Sequence, residues 1–402
     1  MTVASAQAGA PRPGVMWGGS GLRIAMFSES YLPRISGVVH SLTAFASSLR
    51  AEGHRVFIVA PRVRGYLDAD PDVLRVPSVP TPYYDFPLGL GYTPAVWRTL
   101  MASQLDVVHA HAPFTMGSAG AHLARRRGLP LVFTHHTLYD EFVHYAPGPK
   151  WLLRSLTRWY VRRYADRCDC VIAPSATLVA RLRAQGVRNR IEVLPTAGVE
   201  LELFASLDPS WVRTEFGLPA GRPLLVTASR LGKEKSVDRV LHAFAQVLQR
   251  RDAVLLVVGG GPEEAALRRL SGELHLGPRI VFAGLQPHRR TLECIAAGDL
   301  FLYGSGSETQ GLVIVEAMAA GVPVVAVNAG GVGDAVRDGL TGFLVPPSAA
   351  ALAEKVIDLL DDAALRRTMA AHAKEVAAEF ALPALTRRLV EIYRSLLPVR
   401  RR

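Results

Sequence analysis

A chain of 402 residues is long enough for two or three domains with substantial cores. Apolar residues make up 49% of it, yet no apolar run is as long as a membrane span, and Cys168, Cys170 and Cys294 suggest reduced structural thiols rather than a disulfide framework. The net charge is +11, and thirteen Lys/Arg against four Asp/Glu between residues 124 and 190 concentrate +9 of it in one segment. Such a segment suits an anionic surface, either lipid headgroups or nucleic acid. Residues 1–20, rich in Ala, Gly and Pro, lack the apolar core of a secretory signal and are expected to be a disordered extension or an upstream start before Met16. Leu22–Phe27 is then predicted as a buried strand. A loop follows in which Gly37 opens a helix over Val38–Ala51, closed by Gly53, and Arg55–Ala60 forms the next strand. Strand, glycine loop, helix and strand open a Rossmann-like unit, although G-x-G-x-x-G is missing.

Asp68-Ala-Asp70 is read as a solvated polar loop, and Thr81–Pro94 as an aromatic, Pro/Gly-rich loop suited to core contacts, an acceptor site or a membrane interface. Asp106–Ala110 and Leu131–Thr134 are further strands. Each leads into histidines, His111 in one case and His135-His136 in the other, at the end of a sheet where open α/β folds bind ligands. A single histidine there fits a satisfied polar residue as readily as a ligand contact. Pro149–Arg167 is predicted as an amphipathic helix with Arg154, Arg158 and Arg162 on one face and Trp151 and Trp159 among its apolar residues. A membrane interface and a core-packed helix with a solvated basic face fit it equally, and no nucleic-acid motif accompanies it. Val171–Pro174, a helix capped by Ser175, and Ile191–Pro195 close the first domain, residues 21–199.

A second series covers residues 200–382. Strands are predicted at Leu224–Ala228, Ala253–Val258, Arg279–Leu285, Leu300–Tyr303 and Pro323–Val327, with helical sequence between them. The alternation implies a parallel sheet. After Leu300–Tyr303 comes a Gly/Ser loop and then a helix from Gly311 to Ala320, stopped by Gly321 and Pro323. The unpaired N–H groups at such a helix start favour a phosphate. Glu308 and Glu316 frame that start at a spacing of E-x7-E. One carboxylate on a ribose and one on a second sugar would fit, as would a helix with an N-terminal acid and a solvated glutamate. Helices at Ala350–Leu360, Leu365–Phe380 and Leu385–Leu397 end the chain.

The segment Ser307–Ala326, SETQGLVIVEAMAAGVPVVA, resembles the signature of the retaining glycosyltransferases of family 4, which have the GT-B fold. The resemblance extends over about Leu22 to Leu397. It implies two Rossmann-like domains facing across a cleft, with the last helix, residues 383–402, returning to the first. It implies that His136 and Glu308 meet the transferred sugar, that Arg230 and Lys235 neutralise the donor diphosphate, and that Glu316 holds the ribose. The implied donor contacts are completed by Gly37, Gly260, Leu285 and the helix start Gly311-Leu312-Val313. Ser36 stands where many relatives have glycine. THHTLYDEFVHYAP and SETQG are similar to the diacylglycerol glycosyltransferase branch. The expectation is thus a hexosyltransferase using a nucleotide sugar, UDP-glucose or UDP-galactose, as substrate, with no cofactor and no metal. The lipid acceptor would be met at the cytoplasmic face of an anionic membrane. The alternatives are a soluble sugar, inositol or polysaccharide acceptor, and a sugar-nucleotide-binding protein without turnover.

Overall fold

A computed structural model describes residues 21–34, 36–80, 87–141, 148–196, 198–306 and 308–398. The expected N-terminal extension and parts of the 81–94 and 134–147 segments lie outside the described residues. In the first half, strands β1 (Arg23–Phe27), β2 (Arg55–Pro61) and β3 (Val73–Val76) precede a short hairpin of β4 (Ser78–Val79) and β5 (Leu88–Gly89). Then come β6 (Val107–Ala110), β7 (Leu131–Thr134), β8 (Cys170–Ala173) and β9 (Ile191–Val193). The helices between them are α1 (Gly37–Ala51), α2 (Pro94–Ala102), α3 (Thr115–Arg127), α4 (Lys150–Ala165) and α5 (Ala176–Ala184). The seven-stranded sheet has the order β3-β2-β1-β6-β7-β8-β9, and its pairings are parallel.

The second half begins with α6 (Leu201–Ala205) and α7 (Ser210–Glu215). Its sheet is built from β10 (Leu224–Ala228), β11 (Val254–Val258), β12 (Ile280–Gly284), β13 (Leu300–Tyr303), β14 (Val324–Val327) and β15 (Gly342–Val345). The order is β12-β11-β10-β13-β14-β15, again parallel. The helices are α8 (Val237–Leu248), α9 (Glu264–Glu273), α10 (His288–Ala296), α11 (Leu312–Ala319), α12 (Val332–Ala335), α13 (Ala349–Asp361), α14 (Ala363–Ala377) and α15 (Leu382–Leu396). This is a doubly wound α/β architecture used twice. Strand order reverses between β1 and β6 in one sheet and between β10 and β13 in the other, and ligands bind at the carboxyl ends of strands beside such a reversal.

Local chemistry explains the elements. The central strands are covered on both faces, so they read as continuous apolar runs. The Ser36 hydroxyl accepts from Val39 N at 3.3 Å and caps α1. Ser175 caps α5 in the same way. The Asp334 carboxylate, from the second half, accepts from Ala176 N and Thr177 N and adds a cap across the cleft.

The chain crosses between the halves twice, and the crossings touch. Val199 N donates to Phe380 O and Leu382 N to Val199 O, both at 2.9 Å. Helix α15 then lies on the first half. Leu382, Leu385, Leu389, Ile392 and Tyr393 are buried with Ile24, Leu42, Phe45 and Ile58 in one apolar cluster.

Two sequence expectations are corrected. Asp68 and Asp70 are not simply solvated. Asp68 takes two bonds from Arg75, both at 2.8 Å, with each side chain largely covered, and Asp70 pairs with Arg50 at 2.7 Å. The basic face of α4 is also not uniform. Arg158 donates to Asp140 at 2.7 Å, and the buried Asp140 is shared with Arg181, so the half-exposed Arg158 is tied down in an ion-pair network. Trp151, Leu156 and Trp159 on the same helix are 71%, 52% and 53% exposed.

Candidate functional site

The loops leaving the strand ends bring the expected residues together from both halves. Glu308 lies just beyond β13, and three donors converge on its Oε1: Tyr303 OH at 2.6 Å, Lys235 Nζ at 2.6 Å and Ser305 Oγ at 2.8 Å. Burial alone would lower the Lys235 pKa, but Tyr303 and Glu308 outweigh it and raise it, so the ammonium stays charged. Burial and the Glu308 charge raise the Tyr303 phenol, which remains a neutral donor. Glu308 is therefore a fixed carboxylate whose Oε2 receives none of these three bonds.

The Glu308 loop is anchored on three sides. Thr309 Oγ1 donates to His136 O across the cleft at 2.9 Å, and Gln310 Oε1 accepts from Thr196 N of the linker at 2.8 Å. From behind, Gly331 N donates to Glu308 O at 2.7 Å. A Cβ on Gly330 would lie 2.1 Å from Glu308 O, and one on Gly331 would lie 2.0 Å from Thr309 O. Both contacts are with backbone, so only glycine permits this approach. Nothing local in the sequence around Gly330 and Gly331 identified them.

Arg230 follows β10 and is half-exposed, reaching Glu234 at 3.4 Å. Its loop rests on the glycines after β11: Leu231 N donates to Gly260 O at 3.0 Å, and a Cβ on Gly259 would meet Ser229 O at 1.9 Å. Gly260 adjoins Leu285, which is 72% exposed. Gly311 adopts φ +80 as the residue before α11, which has no side-chain cap, so Leu312 and Val313 open the helix beneath the loop. Gly37 opens α1, and a Cβ there would meet nothing within 4 Å.

On the opposite wall, His136 Nε2 and His111 Nδ1 are 2.9 Å apart with nearly parallel rings. His109 lies between Thr134 Oγ1 at 2.7 Å and Tyr393 OH of α15 at 2.6 Å. Burial, reinforced by the neighbouring histidines, holds His136 and His111 well below the usual imidazole range and His109 down to about 3, so all three are neutral. A neutral His136 donates from one nitrogen and accepts at the other, so in its contact with His111 one ring donates and the other accepts. Glu316 is buried on α11 and accepts from His288 Nε2 at 2.8 Å. The His288 ring lies 4.6 Å from that of His40. No local sequence pattern points to His288 or His40. Each is an unremarkable residue near a helix start.

Chemically, the cleft offers two carboxylates that accept from hydroxyls, two cations and an uncapped helix start. That set suits a sugar diphosphate.

Comparison with known proteins agrees. Residues 212–376 match the family described as "Glycosyl transferases group 1", and residues 35–202 match "Glycosyltransferase Family 4". The chain is 33% identical over 318 residues to the "Alpha-monoglucosyldiacylglycerol synthase" of Streptococcus pneumoniae, covering 76% of this chain and 71% of that protein. It is 32% identical over 335 residues to the "GDP-mannose-dependent alpha-mannosyltransferase" of Mycobacterium tuberculosis, covering 81% and 84%. Among solved structures, Anabaena Alr3699/HepE in complex with UDP superposes with a TM-score of 0.76 at 24% identity, covering 93% of this chain and all of that one, 100%.

Proposed function

This chain belongs to the family 4 glycosyltransferases, a hexosyltransferase of the GT-B fold, and from that premise we propose that it moves a glucosyl or galactosyl unit from a UDP-sugar to 1,2-diacylglycerol or a closely related membrane lipid. The observation that carries the transfer reading is the Glu308 carboxylate, fixed by Tyr303, Ser305 and Lys235 on a loop that Thr309 ties to the His136 carbonyl across the cleft. Glu308 Oε2 accepts from a hydroxyl of the transferred sugar, and Glu316 accepts from the ribose. Lys235, Arg230 and the N–H groups at the start of α11 hold the diphosphate. As the bond between the sugar C1 and the phosphate oxygen breaks, negative charge grows on that oxygen, and these fixed cations and dipoles stabilise it without rearranging. The acceptor oxygen attacks C1 from the same face, and its proton passes to the departing phosphate oxygen, so the anomeric configuration is retained. No metal is required in this scheme.

Two features support the lipid acceptor. The pneumococcal relative is named for a diacylglycerol lipid. Helix α4 presents Trp151, Leu156 and Trp159 to solvent beside arginines, as a helix lying in a membrane interface does. No helix among the described residues is long and apolar enough to cross a membrane. Attachment at the cytoplasmic face would draw on the exposed surface of α4. The mycobacterial relative favours a second reading, mannosyl transfer from GDP-mannose to another acceptor. A panel of UDP- and GDP-sugars against diacylglycerol, inositol and soluble sugars decides between them, run with and without a chelator. Glucolipid or galactolipid from a UDP-sugar is the expected product. A mannoside as sole product installs the second reading, and binding without turnover rules out both.

Vesicle sedimentation tests the surface. Each basic residue near an anionic bilayer contributes ~1 kcal/mol. Arg154→Glu combined with Trp151→Ala and Trp159→Ala should reduce partitioning to anionic vesicles at least tenfold, and added salt should weaken the wild type. Arg158 is left intact because it holds Asp140. Equal binding by the triple variant would remove α4 from the interface.

The glycine support is testable by kinetics. Gly330 has φ +56, and a Cβ there must push the Glu308 backbone away. Strain of this kind is on the order of 1–3 kcal/mol, so Gly330→Ala should lower kcat/KM about tenfold or more while far-UV circular dichroism is unchanged. Wild-type rates would show that the Glu308 loop tolerates the shift.

A further inference from the structure

We propose that His40, His288 and Glu316 form a binding site for a divalent transition metal of the zinc type, and that the metal excludes the nucleotide donor. The three side chains come from the first turn of α1, the first residue of α10 and the middle of α11, so the site joins the two halves of the molecule. One ligand atom from each lies within 4.8 Å of the others. His288 Nε2 and Glu316 Oε1 are already 2.8 Å apart, and the two imidazole rings are 4.6 Å apart at 58°.

Zinc bonds of about 2.0–2.2 Å place tetrahedral ligands roughly 3.3–3.5 Å from one another. The 2.8 Å pair must then open by about half an ångström, and no separation has to close by more than about 1.5 Å from the 4.8 Å bound. A rotation of His288, whose side chain is 46% exposed, can open that pair. Two imidazoles and a carboxylate are a recognised donor set for zinc, and they leave a fourth position for water. The metal takes the place of the direct contact between His288 Nε2 and Glu316 Oε1. Such a site is inhibitory, because Glu316 cannot accept from a ribose while it coordinates a cation. That last step rests on the ribose role proposed above.

The test uses the full chain, stripped with a chelator and dialysed. Zn²⁺ is titrated in competition with a chromogenic chelator, and Co²⁺ is followed by its visible absorption. One tight equivalent is expected, with the Co²⁺ spectrum of a four-coordinate centre. His40→Ala and His288→Ala should each weaken zinc binding at least tenfold without changing the circular dichroism. If the wild type takes up no zinc at micromolar concentration, or either variant holds it as tightly as the wild type, the site is overturned. UDP is then added to the zinc-loaded chain. Displacement supports the inhibitory role. If both remain bound together, the ribose role of Glu316 fails and the inhibitory part of the proposal fails with it, while the metal site itself stands on the two variants.

Discussion

Replacing Lys235 with alanine is expected to lower kcat/KM for the sugar nucleotide by ten- to about a hundredfold. A charge-assisted hydrogen bond is worth ~1.5–3 kcal/mol, and each ~1.4 kcal/mol is a factor of ten. Two effects combine at this residue. The ammonium proposed to face the diphosphate is removed, and Glu308 loses one of the three donors that fix its carboxylate. Tyr303 and Ser305 still hold Oε1, so the loop should stay in place and the loss should fall on turnover more than on folding. Lys235→Arg should recover only part of the activity, because a planar guanidinium cannot place its charge where the compact ammonium sits. Steady-state kinetics with donor varied, beside a thermal melt, make the measurement. Wild-type kinetics for Lys235→Ala would show that the diphosphate is held elsewhere.

The fold is expected to lose stability steeply in mild acid. His109, His111, His135 and His136 are all buried, and burial depresses each: His109 to about 3, His135 to about 4, and the other two well below the usual 6.5. Above pH 6.5 neither the folded nor the unfolded chain protonates them. Below it the unfolded chain binds protons that the folded chain refuses, so stability falls with pH until the folded groups titrate at about 4 and lower. The slope is about 1.4 kcal/mol per pH unit for each histidine. Near pH 5.5 the four together cost on the order of 5 kcal/mol, a large part of a typical folding free energy. Glu29 and His288 act in the opposite direction. Burial raises Glu29 despite its bonds from Met116 N and Thr115, while the Glu316 bond raises His288 against its own burial. Each favours the folded state as pH falls, but they are two against six histidines, since burial lowers His40 and His54 as well. Thermal unfolding from pH 8 to pH 5 should show the midpoint dropping progressively below about pH 6.5. A midpoint that stays level across that range would mean that these histidines are hydrated or charged in the native state.

Much of the architecture was readable in the sequence because parallel strands covered on both faces must be apolar throughout. Leu224–Ala228 and Leu300–Tyr303 were readable to the residue for that reason. The strands Val73–Val76 and Gly342–Val345 escaped notice. Each has four residues at or near a sheet edge, and Arg75 interrupts the first. Arg75 also explains the misreading of Asp68, since the partner lies seven residues on, in an unforeseen strand. In the cleft, Glu308 and Glu316 were visible because strand, loop and helix follow one another within a single stretch, and Lys235 only through its resemblance to the family's Arg…Lys pair. His288, His40, Gly330 and Gly331 were not. They reach the site from segments distant in sequence, and what makes them matter is a backbone approach or a ring contact that no local pattern encodes.

Helix α15 sets a constraint on how the protein can be made. The apolar face formed by Ile24, Leu42, Phe45 and Ile58 is completed by Leu382, Leu385 and Leu389, which leave the ribosome long after the first half. The roughly 190 residues between β9 and α15 take on the order of ten to forty seconds to synthesise at ~5–20 residues per second. Throughout that time the nascent first half carries an open greasy flank, and it must be shielded by a chaperone or left loosely packed. A fragment ending near Glu200 would keep that flank permanently. It should therefore aggregate unless α15 is supplied as a separate peptide.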